Sequence, residues 1–231
     1  MKKEKNKETG SSIPVEIGIP QHAVLYALIC KSCFQNACRK EAEDMVREVT
    51  ETYGRKRGNR MRLLTAENGE DIGMNSFLIH AEWQGKKDEN QSRMYYENDR
   101  TVSEVTKCAW YEAWKKYDLL KYGSYYCRYI DKAICEAYDG GFELNVSSVL
   151  SQGESSCRFE WTKQADEKTV TEGKAGSKWI LPFSFHCREL YRCAQEVLKK
   201  HSKTEILLKI QAEFIKIFPD TVKLFGKEED L

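Results

Sequence analysis

Cys127 and Asp131 lie four residues apart in YYCRYID. On a helix that spacing stacks a thiol and a carboxylate on one face, with the Cβ atoms about 6 Å apart. Such a pair is half of a metal site or half of a nucleophile and acid–base pair. A buried thiol packed as a small hydrophobe beside a surface Asp is the commoner result of the spacing alone. Cys157 falls in a strand-like run, where alternation sends it to the same side as Phe159 and Trp161. A cysteine that only packs fits there as well. Cys108 closes another strand-like run, at a handover of the kind where sites are built. His186 opens a helical stretch, where the positive end of the helix dipole disfavours the imidazolium. It suits a general base, a metal ligand or a histidine satisfied in the core. Arg57 and Arg60 lie in or beside a segment bracketed by Gly54 and Gly58. Guanidinium forks bind carboxylates in pairs, although a solvated charge run is the usual outcome. Cys30, Cys33 and Cys38 have the spacing C-x2-C-x4-C, but they sit in what reads as continuous helix, with no Gly or Pro to wrap an iron–sulfur cluster.

These groups need elements to carry them. Apolar residues recur at helical spacing from Gln21 to Tyr53, and Gly54 reads as the stop. A second helix is expected near Asn59, a turn at Asn68-Gly69 and a further helix over Ile72 to Trp83. Gly85 to Asn98 reads as a loop, with a strand beginning near Met94. Thr101 to Ala109 is rich in β-branched residues and reads as a strand. Trp110 to Tyr117 reads as one or two helical turns, and Tyr122 to Tyr138 carries a clear apolar stripe. Phe142 to Leu150 and Ser155 to Thr162, joined by SQGE, predict an antiparallel hairpin. Lys163 to Lys178 reads as a loop. Phe185 to Lys200 and Thr204 to Phe218 read as the last two helices. The expected class is α+β: helices packed against a small antiparallel sheet in a single domain over residues 13–231, with residues 101–162 as the core motif region. Residues 1–12 are charged without apolar period and read as a disordered tail.

The bulk numbers narrow the function classes. The chain has 231 residues, 41% hydrophobic and 32% charged, with a net charge of +1. That length buries a real core. The near-neutral balance gives no field for nucleic acid or a membrane surface. No apolar run approaches a membrane span, and the N-terminus lacks a signal-peptide core, so the cytoplasm is the expected compartment. Nine cysteines in such a chain are expected to be reduced thiols. There is no P-loop, G-x-G-x-x-G, G-x-S-x-G or H-E-x-x-H motif.

Taken together, YGRKRGNRM at Tyr53 to Met61, the strand end at Cys108, YYCRYID at Tyr125 to Asp131 and SVLSQGESSCRFEW at Ser148 to Trp161 resemble the L-2-amino-thiazoline-4-carboxylic acid hydrolase family. FHCRELY at Phe185 to Tyr191 resembles the family's His-bearing C-terminal helix, with Glu189 where a second histidine is expected one turn on. The resemblance implies a hydrolase that opens a small cyclic amidine to a carbamoyl-cysteine. It implies Asp131 as the carboxylate that holds the amidinium, Cys127 or Cys157 as nucleophile once its pKa falls well below about 8.5, and His186 as base. Arg57 or Arg60 would clamp the substrate carboxylate. The same set, Cys127, Cys157 and His186 with Asp131 or Cys108, supports an alternative in which a divalent metal carries the attacking water. That metal is the one cofactor the sequence leaves open. The expected partner is a small-molecule substrate, with a homo-oligomer left open. A non-catalytic module that senses a metal or small molecule through the same pocket is the competing class.

Overall fold

A computed structural model describes residues 16–141, 143–172 and 179–226. The expected tail at residues 1–12 and part of the expected loop before Trp179 lie outside the described residues. The architecture is α+β, helices against one small sheet, as the sequence predicts.

Helix α1 (Ile19–Asn36) is buried almost all round, from Ile19 through Cys33. It is the post about which the other helices pack, in keeping with a sequence apolar on every face. Cys38, exposed at the joint, is the N-cap of α2 (Arg39–Glu67). The continuous helix expected over Gln21 to Tyr53 is therefore two helices that break at Ala37-Cys38.

Gly54 does not stop α2, and no new helix begins near Asn59. The helix runs through both glycines to Glu67 and ends at the expected Asn68-Gly69 turn. The reason is close approach to α5 (Leu120–Tyr138). A Cβ on Gly54 would meet the Ala133 Cβ at 2.7 Å, and one on Gly58 would meet the Ile134 carbonyl oxygen at 2.3 Å. The glycines are the groove into which α5 fits, and their lack of a side chain outweighs their poor helix propensity.

Helix α3 is short (Met74–Ile79). Strand β1 (Gln91–Glu97) starts three residues before Met94, and β2 (Arg100–Lys107) follows through a tight turn. Helix α4 (Ala109–Lys116) leads into α5. The predicted hairpin is present as β3 (Leu144–Ser148) and β4 (Cys157–Trp161), joined through a single 3-10 turn. The sheet order is β1-β2-β4-β3, antiparallel throughout. A short helix, α6 (Glu167–Glu172), occupies part of the segment expected to be a loop. Helices α7 (Phe183–Lys200) and α8 (Ile206–Ile217) close the domain near their expected positions. No described helix is long and apolar enough to cross a membrane.

Alternation gives the sheet two characters. One face presents Ser103, Val105, Cys157, Phe159 and Trp161 to a cavity that opens to the surface beside Lys86, Ser92 and Arg93. The other carries Arg158 against Glu160 and Glu97, and Asn145 against Glu160.

Candidate active site

The cavity measures about 930 Å3 and lies between the sheet, α5 and the end of α3. Helix α5 lays Cys127, Ile130, Asp131, Ile134 and Cys135 along one wall, a stripe at three- and four-residue spacing. Strand β4 lays Cys157, Phe159 and Trp161 along the opposite wall. Cys108, the N-cap of α4, closes one end. The four groups taken from the sequence as thiol and carboxylate candidates, Cys108, Cys127, Asp131 and Cys157, thus face one space. Cys157, with Val149 and Leu150, forms a small apolar cluster against which Cys108 and Cys127 pack.

Their electrostatics run opposite to the expectation of a lowered thiol pKa. Burial pushes the Cys127 thiol far up, and Cys108, Asp131 and Cys157 add to the rise. Cys157 is pushed up to about 11, first by burial and then by Cys108 and Asp131, although the Leu150 N–H donates to its sulfur at 3.3 Å. Cys108 is raised by burial and by Asp131. A low-dielectric pocket penalises the thiolate, and an adjacent carboxylate repels it. All three groups are therefore held as thiols at neutral pH.

The arginines separate. Arg57 is buried and lines the cavity, whereas Arg60 does not. Arg57 Nε donates to Glu82 Oε2 at 3.2 Å. Arg60 spans Glu82 and Glu189, donating to Glu189 Oε2 at 2.9 Å and to Glu82 Oε2 at 3.0 Å. Glu82, fully buried, is the hub of this network. Glu189 anchors the other side of Arg60.

His186 is not on the cavity wall. It is buried in the first turn of α7, with Nδ1 3.2 Å from the Tyr53 hydroxyl and Nε2 3.2 Å from the Glu82 carbonyl oxygen. Its pKa is lowered to about 3, chiefly by burial and then by Arg57. The Tyr53 hydroxyl also meets His22 Nε2 at 3.1 Å, and Trp110 Nε1 donates to His22 Nδ1 at 3.1 Å. The resulting chain, His186–Tyr53–His22–Trp110, reaches the cavity only through the Trp110 ring. His22, which showed no partner in the sequence, is buried inside it with its pKa pushed well down by desolvation, then by His186 and Arg57.

The residues do not form the metal site allowed by the sequence. Both ring nitrogens of His186 already face Tyr53 and Glu82. Among the described residues, no three His, Cys, Asp or Glu side chains converge as a donor set. The triplet Cys30, Cys33 and Cys38 is likewise unassembled, with two members buried in α1 and the third exposed at the joint.

Sequence reasoning missed three contributors. Glu82 is a lone carboxylate in the apolar run MNSFLIHAEW, which was its one available signal. Ser151 Oγ is buried with no hydrogen bond of normal geometry, yet it lies near enough to Cys127 to favour the thiolate. Its place in a polar turn gave no hint. Cys135 lines the cavity and accepts the Trp161 Nε1–H at 3.3 Å, with its thiol pushed up to about 12 by burial.

The site is thus an α+β frame around a cavity lined by thiols and a carboxylate. The family model described as L-2-amino-thiazoline-4-carboxylic acid hydrolase matches residues 21–161, and the chain belongs to this family of hydrolases. The match includes Arg57, Cys108, Cys127, Asp131 and Cys157 and stops short of His186. A search of curated proteins and a search of solved structures each returned no match.

Proposed function

We propose that the protein adds one water across the amidine carbon of a small cyclic substrate of the 2-amino-thiazoline-4-carboxylate kind, opening the ring to a carbamoyl-cysteine. The observation that carries this reading is the shared cavity of Cys127, Asp131 and Cys157. The Asp131 carboxylate accepts paired N–H bonds from the amidinium, which holds the ring and makes its central carbon more electrophilic.

Raised thiol pKa values make the substrate itself the proton acceptor. A neutral amidine is a base, so the Cys127 proton passes to the ring nitrogen and leaves a thiolate beside an amidinium. The new positive charge offsets the repulsion that Asp131 exerts on the sulfur. Sulfur attacks the amidine carbon, and a ring bond to that carbon breaks, with the departing heteroatom keeping a proton. Water then adds to the same carbon, and the Cys127 sulfur leaves and regains its proton. One water is consumed and the cysteine is regenerated. Cys157, across the cavity, is the alternative nucleophile, Ser151 stabilises the Cys127 thiolate, and Arg57 is the buried cation nearest a substrate carboxylate. His186 and Arg60 hold Tyr53, Glu82 and Arg57 in place without touching the substrate.

A ligand-binding module without turnover is the second reading, favoured by the raised pKa values of the three cavity thiols. Incubation with 2-amino-thiazoline-4-carboxylate and related cyclic amidines, with product detected by mass as substrate plus one water, separates the two. Ring opening is expected, with kcat/KM for Asp131→Asn lower by about 10²-fold through loss of the charged hydrogen bonds and Cys127→Ser at least as impaired. Tight binding with no ring opening of any such compound would refute the enzyme.

A further inference from the structure

The geometry points to a ligand larger and more apolar than a bare thiazoline carboxylate: a cyclic amidine with an aromatic or similarly bulky apolar substituent on its ring. This inference rests on the proposed hydrolase site and specifies its substrate class.

Size is the first argument. A 2-amino-thiazoline-4-carboxylate has about nine non-hydrogen atoms and displaces roughly five or six waters of about 30 Å3 each. That is under a quarter of a cavity of about 930 Å3. Cavities of about 300–1,000 Å3 enclose ligands of drug-like size.

Polarity is the second. Helix α5 and strand β4 run along the cavity in the same sense. Cys127 and Cys157 share one end. Further along, Cys135 meets the Trp161 indole. Trp161 lies four strand steps beyond Cys157, about 14 Å at about 3.4 Å per residue. The far end is aromatic: Trp161 lies 6.4 Å from Phe77, centroid to centroid, and 6.2 Å from Phe159, which bridges back to the Cys157 cluster. Ile134 and Leu144 complete its apolar wall. A ring held at Asp131 leaves this chamber to a substituent, and apolar area removed from water there gains about 25 cal/mol per Å2.

Charge is the third. Each cationic side chain on the cavity's lining already has a carboxylate: Arg57 has Glu82, Lys86 has Glu16 and Arg93 has Glu104. A carboxylate on the ligand would have to share Arg57 with Glu82, and no lining cation is left that calls for one.

The test compares 2-amino-thiazoline-4-carboxylate with a 2-amino-thiazoline bearing a benzyl group on the same ring carbon. Ring opening is followed by mass, and binding to the Cys127→Ser protein by calorimetry. The benzyl compound is expected to have at least a tenfold higher kcat/KM, and Phe77→Ala to reduce that ratio severalfold. If the small carboxylate is opened with equal or higher kcat/KM, the hydrolase reading stands and this inference is overturned. If the benzyl compound binds more tightly but neither ring opens, the ligand class stands and the hydrolase reading fails. If neither binds nor reacts, both fail.

Discussion

Gly58→Ala tests whether the α2–α5 contact is as tight as the geometry requires. The new Cβ would lie 2.3 Å from the Ile134 carbonyl oxygen, 2.8 Å from the Ala137 Cβ and 3.0 Å from the Tyr138 nitrogen. An ordinary carbon–oxygen contact is about 3.3 Å, so the helices must part by about 1 Å. Two of the three atoms belong to backbone, and no rotamer change relieves them. Overpacking a filled site costs about 1–3 kcal/mol, and this one belongs at the upper end. Alanine returns about 1 kcal/mol through helix propensity. The net loss is about 1–2 kcal/mol, or roughly 2–8 °C in Tm for a domain of this size. Urea unfolding measures it as a lower midpoint with unchanged slope. Gly140→Ala is the control: the nearest atom to its Cβ is 3.8 Å away, and its change should stay within about 0.5 kcal/mol. A Gly58→Ala protein at least as stable as the parent would show that propensity outweighs the contact and that the glycines are not the packing groove.

Two further expectations follow from buried groups. Glu82→Ala strips the fully buried carboxylate from Arg57 and part of the partnership from Arg60; about 3–5 kcal/mol should be lost, against at most about 1 kcal/mol for Glu104→Gln in the exposed Arg93 pair, and equal urea midpoints for the two would refute the hub. His22 and His186 are held neutral by burial, His186 down to about 3, against about 6.5 unfolded. The unfolded chain therefore binds more protons below pH 6.5, so stability present above that pH is lost as pH falls toward 3, by up to about 1.4 kcal/mol per pH unit for each histidine. The urea midpoint should drop between pH 7 and 5, and His186→Gln should flatten the drop; a flat profile in the parent contradicts it.

Periodicity made most of the frame legible. The apolar stripe of α5, the hairpin of β3 and β4 and the β-branched run of β2 each declare their element locally. The same local signals carried Cys127, Asp131 and Cys157 to facing walls, because helix spacing and strand alternation decide which side a residue faces. What failed was tertiary. Gly54 looks like a stop because a glycine is judged by propensity, whereas α2 uses it to admit Ala133. His186 looked like a base because its helix position was visible and its partners, Tyr53 and the Glu82 carbonyl, were over a hundred residues away. Glu82 and His22 acquire meaning only when distant segments meet, and the thiol pKa values follow from burial that no spacing encodes.

The distribution of the nine thiols has a practical consequence for spectroscopy. Cys38 alone is exposed, at the joint between α1 and α2, while the other eight are buried or only partly accessible. A maleimide dye or spin label applied at neutral pH should attach at that single position, without the usual removal of competing cysteines. The label would sit outside the cavity, on the seam between the central post and the helix that bears Arg57. It would therefore report on the relative motion of those two helices while leaving the reactive thiols untouched.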